Sequence, residues 1–578
     1  MRKYMPFLVH PSYAHFFFNR RISKMVAVNA SGVCALLLYA LLLWRRVQGV
    51  YSHSDILLFL SSILLAGFAL WRKYSVARQM QSITKSDVSV LTLLIFFTVL
   101  INVLGITSWN FSGIGDEGTF YGYARNIANG ADWSFFYLFA IDGVHPSLDS
   151  AYVGLLMHFF GQTIFTWRIS EILIHAAIVG IVYLFGRVFF GKICGIVAGV
   201  VLGSSHYLMA FTKIGYNTTH SLLYSSVALL LLLLALKSRR PVHLFFAGVL
   251  LGFCRYTSLL ALITWPIAAA LVLFNVRYRV LRKEICTFSL LLLGFSAVIL
   301  PLLVSTPLSE HVRVFTVETH FREPTERPWT SRLLTVRDSF LIWWQNPRWY
   351  HHYVGGTLID SLSGVLLLIG LVLCAWRITR AEERTVLLWF VLGVVLIGGS
   401  NYVVQPSITR LLYVLPSIAL IIGIAVEHVW LFLRHRIPVP ALRMCLVILL
   451  IAIPALNLYQ LFLVSPLHTP MQWHQLQLKA LQEYPQYSVI EVGTDGSPDY
   501  GFVFTPGAYP WLARRYSFIP VTHLSNFSLA SHRAPAAYLV VSRNAAVLPA
   551  VREILPNHKE IPDADPRNHS QSWVFLPG

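Results

Sequence analysis

The chain is short of charge, and shortest of negative charge. Only 12% of its 578 residues are Asp, Glu, Lys or Arg, and 26 acidic residues stand against 45 basic ones. A soluble domain carries about 25% charged residues, so a water-soluble globule is excluded. Cysteine is also scarce. The six (Cys34, Cys194, Cys254, Cys286, Cys374 and Cys445) fall in or beside apolar runs without metal-site spacing. A disulfide framework or zinc module is therefore not expected, and these residues read as small apolar packing groups. No internal repeat stands out, which weakens a transporter reading, because many transporters are built from repeats. No basic stripe interleaved with aromatics is present, so no nucleic-acid partner is expected.

What the chain has is hydrocarbon. Hydrophobic residues make up 56% of it and the mean hydropathy is +0.62. A bilayer crossing needs roughly 20 apolar residues. Runs of that kind predict thirteen spans, near 26–44, 54–71, 89–109, 168–189, 193–211, 218–236, 242–257, 258–274, 285–304, 357–376, 385–402, 409–432 and 441–463. The fold class expected is an α-helical polytopic membrane protein.

Orientation follows from the basic residues of short loops. Clusters at Arg20 to Lys24, Arg72 to Lys85, Arg187 with Lys192, Lys237 to Arg240, Arg277 to Lys283, Arg377 to Arg384 and Arg434 to Arg436 fall on one side if the N-terminus is cytoplasmic. Arg45-Arg46 is the exception. The formal charge of +19 then reflects topology and anionic lipid headgroups. Polar and aromatic residues precede the first apolar run with no small-residue cleavage site after it, which predicts a retained anchor rather than a cleaved signal.

This topology puts three polar regions on the outer face: 110–167, 305–356 and the tail from 464. The tail reads as a small α/β unit, with strands at 487–492, 537–542 and 572–576 and helices at 471–484 and 545–555. Its expected job is to cap the bundle or shape an acceptor site. The domains expected are an extension over 1–88 with two spans, a membrane module over 89–463, and the tail over 464–578.

The first outer region carries Gly115-Asp116-Glu117-Gly118 just beyond an apolar run. Adjacent carboxylates at a bilayer surface are hard to explain as packing and point to chemistry. Residues 116–130 predict a short helix closed by Gly130, with Glu117, Tyr121 and Arg125 on one face and Asp116 at its start. An N-cap plus a surface pairing of Glu117 with Arg125 is the structural alternative. Downstream, Asp142-Gly-Val-His145-Pro146-Ser147-Leu148 opens an amphipathic stretch, 148–160.

In this order the residues resemble the GT-C membrane glycosyltransferases, and among them the protein O-mannosyltransferases and lipid A aminoarabinose transferases. The resemblance rests on Asp116-Glu117 followed by Tyr and Ala-Arg, then a His145-Pro146-x-Leu148 element. It continues in Phe211-Thr-Lys213-Ile-Gly-Tyr216-Asn217, in Ala247-Gly248-x-x-x-Gly252, and in Thr409-Arg410-Leu-Leu-Tyr413-x-x-Pro416. It covers about 90 to 435. The aminoarabinose transferases carry Glu-Lys-Pro where this chain has Val144-His145-Pro146, so the mannosyltransferase version fits better. Family members also commonly place an acidic residue where Asn217 stands, and the two leading spans are an addition.

The resemblance implies a GT-C-like bundle, a polyprenyl-phosphate sugar as donor and an acceptor hydroxyl; between a bacterial inner membrane and the endoplasmic reticulum, the small cap and modest length favour the bacterial membrane. No cofactor and no metal are implied. A phosphate leaves already ionised, so the site needs cations near it and a base near the acceptor. Asp116 is the implied base in an inverting displacement, with Glu117 orienting substrate or Arg125. Lys213, Arg255 and Arg410 are the implied phosphate partners, against the alternative of cations that merely snorkel. Tyr121, His145, Tyr216 and Asn217 complete the substrate-binding set. In the second outer region Glu318, His320, Arg322 and Glu323 cluster before Pro324, and His320 joins that set. The nearby Trp329, Trp343, Trp344 and Trp349 suit a sugar ring or the headgroup interface. Two other classes stay open: a lipid-linked glycan flippase or transporter, and a non-catalytic envelope assembly protein.

Overall fold

In the computed structural model the described residues are 30–50, 54–73, 83–108, 117–131, 133, 135–136, 146–215, 218–238, 240–275, 281–306, 309, 329–345, 354–400, 408–468, 473–493, 514–526, 535–564 and 571–577. The chain is an α-helical membrane protein with a small C-terminal α/β domain. Its helices begin α1 (Ala30–Val47), α2 (Ser54–Lys73), α3 (Lys85–Val103), α4 (Glu117–Ala128), α5 (Leu148–Phe160) and α6 (Ile164–Phe189). They continue with α7 (Lys192–Gly203), α8 (His206–Ile214), α9 (Thr218–Ser238), α10 (Pro241–Phe253), α11 (Thr264–Asn275) and α12 (Leu281–Ser305). Helices Trp329–Leu341, Ser361–Trp376, Ala381–Ser400, Leu415–Leu433 and Val439–Tyr459 follow.

Eight helices among the described residues are long and apolar enough to cross a bilayer, and α7 with α8, bent by 49° at their break, form a ninth candidate. Each of the thirteen expected stretches contains a helix among the described residues, but not each is a span. Pro241–Tyr256, Leu260–Asn275 and Ser361–Trp376 are too short to span alone, and Ala381–Ser400 carries Glu382, Glu383 and Arg384 in its first turn.

The core is built by α6, α7, α9 and Leu415–Leu433, whose buried side chains form one apolar cluster. Close approach of α10 and α12 depends on missing side chains. A Cβ on Gly248 would lie 2.0 Å from the Leu291 carbonyl oxygen, and one on Gly252 2.6 Å from Val298. In lipid, helix pairs gain from exactly such small-residue seams, because van der Waals contact replaces the hydrophobic drive.

The two leading helices are not a loose appendage. Leu42, Phe59 and Ile63 share a cluster with Phe135, Phe136, Phe245 and Tyr256, which ties the extension to α10 and to the first polar region. Arg45 and Arg46, the exception to the basic-loop pattern, share one carboxylate: Arg45 Nε lies 2.7 Å from Asp55 Oδ1, Arg46 pairs with the same group, and the Arg46 guanidinium sits 4.9 Å from the Phe136 ring.

The C-terminal sheet has five strands: β1 (Ser488–Gly493), β2 (Tyr516–Pro520), β3 (Ala536–Val541), β4 (His558–Ala564) and β5 (Gln571–Pro577). Their order is β2-β1-β3-β5-β4, with β1 parallel to β2 and β3, and β5 antiparallel to β3 and β4. The three expected strands and both helices, Trp473–Glu483 and Leu548–Ile554, are present. The domain does not stand apart: Leu476, Leu478 and Leu481 join Phe120, Tyr121, Val153 and Trp167 in one buried cluster. Gln482 Nε2 donates to the Thr107 carbonyl at 2.9 Å.

Candidate active site

A helix ends with carbonyls that lack intrahelical partners and carry partial negative charge. At the end of α3 two buried cations meet that need. Lys213 Nζ donates to the Asn102 carbonyl at 2.7 Å and to that of Leu104, and Arg168 donates to that of Ile106. Lys213, one of the expected phosphate partners, stands fully buried at the last turn of α8, where its ammonium meets these carbonyls. The turn after it requires Gly215, whose φ is +71° and whose added Cβ would lie 2.0 Å from Trp167 Nε1.

Arg168 has a second task. Its Nη2 lies 3.2 Å from Glu117 Oε1, with both side chains wholly withdrawn from solvent. One guanidinium therefore grips the chain before residue 109, at Ile106, and after residue 116, at Glu117. Beside the alternative of a surface pairing with Arg125, the structure gives Glu117 this buried, longer-range partner. Half-buried Arg125 stands on the same helix. Tyr121, also fully buried, donates its hydroxyl to the Gln162 carbonyl at 2.6 Å and sets its ring edge-on to Trp167 at 5.9 Å.

Among the other expected residues, Arg255 is buried in the 3-10 turn Cys254–Tyr256 between α10 and α11. Arg410 is half-buried in Ile408–Leu411, which opens the candidate span Ile408–Leu433. Asp116, His145, Tyr216, Asn217 and His320 lie outside the described residues. So do Glu318, Arg322, Glu323 and Trp349. Trp343 is neither a sugar platform nor a headgroup anchor: it is fully buried, 6.2 Å from the Tyr207 ring. Trp344 donates to the Gly364 carbonyl at 3.0 Å.

Sequence reasoning missed a second polar cluster. His220, in the first turn of α9, lies with Nε2 3.0 Å from Glu171 Oε1 and Nδ1 3.4 Å from Asp149 Oδ1. Thr219 donates to Glu171 Oε2 at 2.5 Å. Burial pushes the Asp149 carboxyl up to about 8, opposed by the charge of His220 and reinforced by that of Glu171. The available signal was Glu171, a carboxylate inside an apolar run.

The described residues thus define an integral membrane helical protein with buried charge gathered where α3, α4, α6 and α8 meet. The family model described as dolichyl-phosphate-mannose-protein mannosyltransferase matches residues 144–304, from just before α5 to the end of α12. Over that stretch the resemblance read from the motifs holds. No curated protein matches the chain by sequence. Among solved structures, the chain is similar to ArnT from Cupriavidus metallidurans bound to undecaprenyl phosphate, with 12% identity, 85% of this chain and 98% of that one covered, and a TM-score of 0.45. It is similar to the apo oligosaccharyltransferase of Archaeoglobus fulgidus, with 13% identity, 82% and 73% coverage and a TM-score of 0.46. The arabinosyltransferase EmbB of Mycobacterium smegmatis follows, with 15% identity, 75% and 47% coverage and a TM-score of 0.34.

Proposed function

We propose that this protein is a membrane glycosyltransferase that moves a sugar from a polyprenyl-phosphate donor to an acceptor hydroxyl on the extracytoplasmic face. The observation that carries the reading is the family-model match over residues 144–304. The Arg168 guanidinium, which meets both the Ile106 carbonyl and Glu117, supports it, because a catalytic group needs rigid surroundings.

In the reaction, the acceptor oxygen forms a bond to the anomeric carbon as the carbon–oxygen bond to phosphate breaks, with inversion. Asp116 takes the acceptor proton, and polyprenyl phosphate leaves with the bonding pair. Arg255 and Arg410 are the cations proposed for that phosphate, while Glu117 acts through Arg168 as a positioning residue. The extension over 1–88, the module over 89–463 and the extracytoplasmic domain over 464–578 divide the chain. The membrane proposed is a bacterial inner membrane.

The test is Asp116→Asn, which keeps shape and removes the proton acceptor. Transfer by the purified protein in liposomes is expected to fall by at least about 100-fold. Near-full activity would reject Asp116 as the base. Lipid-linked sugar profiling of a deletion strain should show the donor accumulating.

A further inference from the structure

Asp149 is 4% exposed, and neither of its carboxyl oxygens has a hydrogen-bond partner among the described residues. Its neighbour Glu171 differs: it accepts from Thr219 and meets His220 Nε2. The imidazole is thus engaged with Glu171 at 3.0 Å, and Asp149 faces its other edge at 3.4 Å without a hydrogen bond. A buried polar group left unsatisfied costs about 1–3 kcal/mol and calls for an explanation. The Tyr152 ring stands edge-on to His220 at 5.5 Å, and Glu171 lies three residues, under one turn of α6, beyond Arg168, which pairs with Glu117.

We propose that the Asp149 carboxyl, backed by His220 and Glu171, is a subsite that binds a hydroxyl of the donor sugar. This rests on the glycosyltransferase reading and adds to it a site for the sugar ring, separate from the phosphate cations and from Asp116. The chemistry matches. A hydroxyl offers one donor and acceptor lone pairs, and a carboxyl that burial keeps protonated offers the same. A site built around such a pair rejects a sugar lacking the hydroxyl, because its own polar atoms are then left unpaired.

Two variants in the full-length protein separate a subsite from a structural role. Asp149→Leu removes both oxygens and Asp149→Asn keeps a donor and an acceptor. The probes are bare polyprenyl phosphate and polyprenyl-phosphate mannose, with binding and thermal unfolding read in detergent. Asp149→Leu is expected to bind the sugar-linked lipid about ten- to a hundredfold more weakly, to bind the bare lipid unchanged, and to unfold no earlier than wild type. Asp149→Asn is expected to stay within a few-fold of wild type on both lipids. Unchanged sugar-lipid binding by Asp149→Leu overturns the subsite, and so does equal weakening toward both lipids. Early unfolding of Asp149→Leu together with unchanged discrimination by the folded fraction assigns the carboxyl to structure and overturns it as well. A wild-type protein that does not distinguish the two lipids removes the glycosyltransferase reading itself, a result apart from any effect of the variants.

Discussion

Arg168 and Glu117 form an ion pair 3.2 Å long in which neither side chain is exposed. Removed from water, the two charges are held by protein groups. Arg168→Met takes a cation from the Glu117 carboxylate and is expected to cost about 3–5 kcal/mol of stability. Glu117→Gln with Arg168→Met should unfold later than Arg168→Met alone, since the carboxylate that lost its cation is then neutral. Thermal unfolding of the three variants in detergent checks this, and a double variant no better than the single would count against the pairing.

Lys213 offers a choice between two roles. If its ammonium serves the end of α3, Lys213→Met should lower stability by about 3 kcal/mol and reduce turnover, while affinity for polyprenyl phosphate stays unchanged. A selective loss of phosphate affinity with normal stability would instead restore it as a phosphate ligand. Titration with the lipid and a melting curve answer the question together.

The raised Asp149 carboxyl predicts a pH dependence with a definite sign. A folded acid that titrates near 8, against an ordinary carboxylate near 4, keeps its proton after the unfolded chain has lost its own. That contribution to stability is present in full below the ordinary range and is lost as pH rises toward 8. Asp149→Asn carries no such proton. Wild type should therefore lose ground to the variant between pH 5 and 8, and level off above that. Melting temperatures of both proteins across pH 5 to 9 measure it; a constant difference would contradict it.

Asn457 ties three segments together. Its Oδ1 accepts from the His206 backbone at 3.1 Å and faces His206 Nδ1 at 2.8 Å, while its Nδ2 donates to Asp360 Oδ2 at 2.8 Å. Asn457→Leu leaves partners on α8 and before helix Ser361–Trp376 unsatisfied and is expected to cost about 2–4 kcal/mol. Asn457→Asp should be milder toward His206 and harsher toward Asp360. Unfolding measurements on both variants give the comparison.

Hydropathy made the helices legible, since a membrane leaves the backbone few other choices. The three sheet strands found in the sequence, β1, β3 and β5, are the interior ones, and their runs are apolar. The two it did not reveal, β2 and β4, are the edges of the sheet. Tyr516–Pro520 ends in proline, and His558–Ala564 contains Lys559, Glu560, Pro562 and Asp563, as strands do where one side meets water. The buried ion pairs were hidden for another reason. Glu117 has Arg125 at helical spacing, whereas Arg168 is 51 residues away, and no local period reports a partner at that distance. His220, Glu171 and Asp149 are likewise brought together from three helices.

The cations beneath the end of α3 also set an order of events. Lys213 reaches the Asn102 carbonyl from 111 residues further along, and Arg168 reaches Ile106 from 62. A ribosome that has delivered α3 has therefore delivered a helix end whose carbonyls still lack these partners. The cap closes only after α6 and α8 have been threaded into place, so a chain cut short before Lys213 would carry α3 without the cations that meet its last carbonyls.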